Sequence, residues 1–292
     1  MKTYPSITQT VYLLLSLLLL AIVIRIISII FLDGIVNDSL LDLFSTLIIN
    51  GTIFTLAYSL RKKRDKQFSI PFRSINRKIY LWITFISPFY FFFVLGIVMF
   101  ISTLLPYFIT KVNPRNYSIN IFTLTNLIFM VPIFEELIFR GIILDSFLHR
   151  YSSFKAILLS TLCFASLHFG PQIASAIFFG LISGYLYYYT KSLYPSIILH
   201  GLNNLYIYIF LTSKSKDINQ TNADTIQPIK ELISTTSIWW WINTVLLIFI
   251  LYHLFHKLKK DKSESSSGFH KSVPHSNTCT EEMCDFLKEM KN

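Results

Sequence analysis

Charge is what this sequence has least of. Only 14% of its 292 residues are Asp, Glu, Lys or Arg, where soluble globular chains carry about 25%. Glycine is scarce as well, at 9 residues, which excludes a collagen-like or glycine-rich chain. The three cysteines, Cys163 in an apolar run and Cys279 and Cys284 in a polar tail, give no disulfide framework. Apolar residues are what the chain has in excess. They make up 53% of it, with 27 phenylalanines, and the mean hydropathy is +0.53. Such a composition excludes disorder, and one soluble core of this length cannot bury so much apolar surface. Lipid is the expected solvent for most of the chain.

A helix crosses the hydrocarbon layer with about 20 largely apolar residues. Eight segments qualify or nearly do: 10–32, 41–60, 80–105, 120–149, 153–169, 172–190, 193–211 and 236–257. The expected fold class is all-α, a polytopic transmembrane helical bundle with about eight spans. The apolar run at 11–32 exceeds a signal-peptide core of about 7–15 residues and lacks a small-x-small cleavage site, so it is expected as a retained span. Asp33-Gly34, Pro106, Gly170-Pro171 and Lys191-Ser192 mark boundaries, and Trp239, Trp240 and Trp241 suit an interfacial belt opening the last span. Three regions follow: N-terminal helices with a basic loop (1–119), a core with the last span (120–257) and a polar tail (258–292). The tail is expected to be disordered apart from a short helix at 280–291. Its His270, His275, Cys279 and Cys284 match no standard zinc spacing.

The excess of 26 Lys and Arg over 16 Asp and Glu is topological rather than a nucleic-acid footprint. The 61–79 connection carries eight basic residues. If it is cytoplasmic, nineteen of the basic residues fall inside and five outside, with Arg25 and Arg140 within spans. The positive-inside rule then places both termini in the cytoplasm.

Charged groups inside spans are the informative ones, because each costs about 2.5–3.5 kcal/mol at a helix centre. The run VPIFEELIFRGIIL holds Glu135, Glu136 and Arg140, so these must face protein or a wet cavity. Glu136 and Arg140 stand four apart on one helical face and suit an ion pair, while Glu135 is turned about 100° away. A carboxylate with no cation beside it in such a cavity is suited to general acid–base work. His168 closes the fifth span, and His200 and Asn204 share a face of the seventh, with Asn203 turned from it. Singly, each polar residue suits interhelical hydrogen bonding. Arg25 and Asn243 are solitary, and Arg25 is expected to make a helix-packing contact. Together, two Glu, two His, an Arg and an Asn on three spans exceed what helix packing requires and point to activated water.

At these residues the chain resembles the CAAX-protease and bacteriocin-processing family (CPBP, also called Abi). The motifs EExxxR, FxxxH and HxxxN stand here as Glu135-Glu136-Leu-Ile-Phe-Arg140, Phe164-Ala-Ser-Leu-His168 and His200-Gly-Leu-Asn-Asn204. They occur in order on successive spans over roughly 120–211, with no position departing from the pattern. The resemblance implies an intramembrane endopeptidase, acting on prenylated CAAX proteins in eukaryotic relatives. In bacterial relatives it is linked to peptide maturation, bacteriocin self-immunity and signalling. It further implies that Glu135 and His168 activate water, that His200 and Asn204 stabilise the oxyanion, and that Glu136 and Arg140 shape the site.

The residue chemistry is compatible with those roles, since amide hydrolysis needs a base, a proton donor and oxyanion donors. No cofactor is favoured. Zinc on Glu135, His168 and His200 is the alternative, although the two histidines are not four apart on one helix as in the familiar zinc motif. The expected partners are a membrane-associated peptide or protein substrate and the lipid bilayer, with no nucleic acid. The expected location is a bacterial cell membrane. Two other functions compete with the protease: a non-catalytic immunity or binding protein, and a transporter using Glu135 and His168 as a proton relay. The hydropathy shows no two-fold symmetry of the transporter kind.

Overall fold

The computed structural model describes residues 3–32, 34–104, 120–218 and 240–260. Trp239, Pro106 and the tail beyond 260, with its expected helix at 280–291 and with His270, His275, Cys279 and Cys284, lie outside the described residues. The chain divides into two compact units, Met1–Tyr252 and His253–Asn292. Of the second, the described residues 253–260 are helical. Among the described residues there is no strand, so the all-α expectation holds.

Eight helical segments follow one another. They are α1 (Ile7–Phe31), α2 (Asp38–Arg64), α3 (Arg77–Leu104), a composite α4 over 121–148, α5 (Ser153–Ala165), α6 (Gln172–Thr190), α7 (Tyr194–Ile218) and α8 (Trp240–Lys260). Among the described residues α1, α2, α3, α6 and α8 are long and apolar enough to cross a membrane, and the protein is an integral membrane protein. Exposed apolar side chains such as Leu19, Ile30 and Phe31 on α1 fit a lipid-facing surface.

Local chemistry sets the helix ends. Ser6 opens α1 with a capping box, its hydroxyl accepting from Gln9 N while Gln9 Oε1 accepts from Ser6 N. Asn37 caps α2, whose last turn carries Arg61, Lys62, Lys63 and Arg64, complementing the negative end of the helix dipole. In α3, Pro88 leaves the carbonyl of Thr84 without its helical donor. The Ser87 hydroxyl donates to that carbonyl instead at 2.9 Å.

α4 departs from the expected single helix. Two stretches, Asn126–Met130 and Leu137–Leu144, are π-helical and alternate with α-helical turns. Pro132 supplies a physical reason for the first. It has no N–H to give, and Val131 N reaches five residues back to Asn126 O. The second stretch is buried throughout, and the Ser160 hydroxyl of α5 donates to Phe139 O at 3.0 Å.

α5 packs most extensively on α6, through Gly180 and Gly184. A Cβ at Gly180 would come 2.7 Å from Thr161 Cγ2, and one at Gly184 would come 2.8 Å from Ile157 Cγ2. This small-xxx-small spacing lets two membrane helices approach closely.

Two expectations change. The fifth helix ends at Ala165, so His168 sits in the turn that follows rather than in the span. Arg25 is exposed on α1 and makes no hydrogen bond or ion pair among the described residues. It lies about 9 Å by helical rise from the end of α1, within the reach of a snorkelling guanidinium. Asn243 does find a partner, donating to Phe89 O at 2.9 Å.

Candidate active site

α4 delivers Glu135 and Glu136 at the junction of its α turn Val131–Glu136 and the π stretch that follows. π segments inside α-helices frequently mark functional sites. The adjacent carboxylates have different surroundings. Glu136 is wholly buried, and its Oε1 accepts from Arg140 Nη1 at 3.0 Å. The same oxygen lies 3.2 Å from His200 Nδ1, and Oε2 accepts from the Ser183 hydroxyl at 2.8 Å. Glu135 keeps 24% of its side chain exposed, and its Oε2 lies 3.8 Å from His200 Nε2. The sequence division therefore stands: Glu136 is the paired carboxylate, and Glu135 is the accessible one.

Arg140 is held by more than its partner carboxylate. Its guanidinium lies 4.7 Å from the centroid of Phe164 and 5.3 Å from that of Phe179, contacts that favour a desolvated cation. Its Nη2 has no hydrogen-bond partner among the described residues. Buried charge of this kind requires close pairing, and Glu136 with the two rings provides it.

The histidines have assignable nitrogens. A carboxylate oxygen only accepts, so Nδ1 of His200 donates to Glu136 and Nε2 is turned toward Glu135. His168 Nδ1 lies 3.1 Å from Phe164 O. A carbonyl also only accepts, so this nitrogen carries the proton and Nε2 of the neutral ring holds a lone pair. Phe164 accordingly serves three neighbours: its carbonyl orients His168, its face covers Arg140, and its ring lies 6.1 Å from that of His200. The rings of His168 and His200 lie 4.8 and 6.1 Å from that of Phe164, so the turn after α5 and α7 approach each other beside it.

Asn204 Nδ2 donates to Leu127 O at 2.9 Å. That carbonyl is available because Val131 N bonds Asn126 O and residue 132 is proline. Gly201 permits the approach, since a Cβ there would come 2.8 Å from Ile128 O. One amide proton of Asn204 is thus engaged, and a carboxamide has two. Asn203 is buried, with its Oδ1 unpartnered.

Sequence reasoning missed Ser183, Phe179 and Pro132 as parts of this assembly. Ser183 lies within the Gly180–Gly184 spacing, a signal of close helix packing but not of a carboxylate partner. Among the described residues no group of three or more His, Cys, Asp or Glu side chains is found that could hold a metal ion.

Residues 117–206, which contain every one of these groups, match the family model of the Rce1-like type II CAAX prenyl endopeptidases. The match covers about a third of the chain. It is the family type that the three motifs resemble. No curated protein and no solved structure matches the chain.

Proposed function

We propose that the protein is an intramembrane endopeptidase that hydrolyses a peptide bond of a membrane-associated peptide or protein, using water activated by Glu135 and histidine and no metal. One observation carries this reading. The accessible carboxylate of Glu135 faces an imidazole whose other nitrogen is fixed by a second, sealed carboxylate. At 3.8 Å, Glu135 Oε2 and His200 Nε2 are beyond a direct hydrogen bond, yet a single water can touch both. A base held this way, with its orienting partner behind it, has the geometry that general acid–base chemistry needs.

In the proposed reaction the water oxygen attacks the carbonyl carbon and its proton passes to Glu135. The Nε2 lone pair of His168 assists that transfer. The oxygen of the tetrahedral intermediate accepts from the remaining N–H of Asn204 and from Nε2–H of His200, which acts in its imidazolium form with Nδ1–H still on Glu136. The C–N bond then breaks as the proton held by Glu135 and His168 moves to the leaving amine. Donors fixed beforehand in a site of low dielectric are effective at this step. Glu136, Arg140 and Ser183 position His200 and take no part in proton transfer.

The proposed setting is a bacterial cell membrane with both termini cytoplasmic, and the proposed substrate chemistry is of the CAAX-cleaving or peptide-maturing type. The test compares peptides and membrane-protein termini of cells carrying the wild-type protein with those carrying Glu135→Ala. A set of termini lost in the variant supports the reading. Identical termini, with the variant inserted normally, leave the non-catalytic binding protein in its place. Stoichiometric zinc in the purified protein would overturn the metal-free mechanism.

A further inference from the structure

Away from the carboxylate–histidine cluster, a polar cavity of about 170 Å³ lies at the other end of α4. It is lined by Arg61, Asp65, Ser69, Arg73, Asp145 and Lys191 among others. Asp145 follows Glu136 by nine residues, about 13 Å along the helix. The intervening stretch Leu137–Leu144 is fully buried. The cavity lies at the C-terminal ends of α2 and α6, two of the helices long and apolar enough to cross a membrane.

The hydrogen-bonding capacity of this cavity is unevenly filled. Both oxygens of Asp145 are occupied, Oδ1 by the Tyr187 hydroxyl and Oδ2 by Arg61 Nη2, each at 2.9 Å. Asp65 Oδ1 accepts from Gln67 N at 3.2 Å. Arg61 Nη1 donates to Tyr4 O at 2.8 Å. Arg61 Nε, on a residue only 1% exposed, has no hydrogen-bond partner among the described residues. Arg73 is exposed, and no hydrogen bond or ion pair engages its guanidinium among the described residues. Both oxygens of Asp145 are taken, while Arg61 Nε and the Arg73 guanidinium are donors left over among the described residues. A buried unmatched donor is expensive, so the occupant that fits is rich in acceptors and negatively charged.

We propose that this cavity binds a phosphoryl group, either the headgroup phosphate of an anionic phospholipid or free phosphate. Arg61 Nε forms the floor, and Arg73 and Lys191 reach it from the mouth. Arg61 and Lys191 also offset the negative ends of α2 and α6. Basic pockets between membrane helices at the headgroup level suit such lipids, and an arginine fork matches phosphate oxygens geometrically.

The experiment uses the full chain in detergent and native mass spectrometry with phosphatidylglycerol, followed by inorganic phosphate alone. The cavity variant is Arg73→Gln with Lys191→Asn, since asparagine tolerates the left-handed backbone at 191 (φ 50°). The control is Lys63→Gln with Lys66→Gln, two exposed residues of the same basic region outside the cavity lining. Retained phosphatidylglycerol is expected to fall about tenfold in the cavity variant, as for loss of charge-assisted bonds, and to stay at the wild-type level in the control. Inorganic phosphate that raises the melting temperature of wild type but not of the cavity variant identifies free phosphate as the source. Retention of the lipid without that effect identifies the headgroup. Equal retention in wild type and cavity variant, or an equal loss in the control, overturns the proposal.

Discussion

Glu135 and Glu136 differ by one position and by almost everything around them. Glu136 has a guanidinium, a hydroxyl and an imidazole on its two oxygens, and Glu135 is partly exposed with its nearest imidazole nitrogen, His200 Nε2, 3.8 Å away. Their glutamine variants are therefore expected to fail in different ways. Glu135→Gln should lower the cleavage rate by about 10²–10⁴-fold, the usual contribution of a positioned base, with an unchanged melting temperature in detergent. Glu136→Gln leaves Arg140 buried without its counter-charge and should cost about 3–5 kcal/mol of stability, visible as a much lower melting temperature. The pairing of Glu136 with Arg140 was legible from a spacing of four, because helical geometry fixes which residues share a face. The hydroxyl of Ser183 was not, since a serine in a membrane helix most often bonds its own backbone.

At the scale of one element, α4 shows how a single proline reaches a distant side chain. Pro132 deprives the helix of a donor, Val131 N shifts to Asn126 O, and Leu127 O is left for Asn204, 77 residues away. Pro132→Ala is expected to leave the melting temperature the same or higher, because an interior proline costs a helix about 3 kcal/mol. Cleavage should fall by at least about tenfold as Asn204 loses its anchor. A parallel assay of activity and thermal unfolding separates the two effects. Gly201→Ala ordinarily stabilises a helix by about 1 kcal/mol. Here the added Cβ meets Ile128 O at 2.8 Å, so α7 must shift from α4, and both stability and cleavage should drop. The existence of this helix was readable from hydropathy alone, while its π stretches were not. They depend on which carbonyls find partners on α5 and α7, and no local pattern encodes that. The position of His168 beyond the end of α5 is a similar case: the apolar run continues past the last helical turn.

Across the whole molecule, the eight segments were legible because lipid sorts a chain by runs of about 20 apolar residues. Which segments touch was not, because interhelical contacts are made by few and ordinary side chains. The N-terminal segment illustrates this. Thr3, Tyr4 and Pro5 tie α2 to the end of α4 through Arg61 Nη1–Tyr4 O at 2.8 Å and Ser146 Oγ–Pro5 O at 2.9 Å. Arg61 in turn holds Asp145. Ser146→Ala is expected to destabilise the protein by about 1–2 kcal/mol, the value of a buried hydrogen bond, in a thermal-unfolding comparison with wild type. The π stretch Leu137–Leu144 has a wider consequence. It sets the rotational phase between Glu136, which faces the histidines, and Asp145, which faces Arg61. Loss of one residue there would swing one charged end by roughly 100° relative to the other, leaving at least one of the two buried ion pairs broken. Relatives that keep both ion pairs should therefore vary freely in loop length yet keep the count between those two acids fixed.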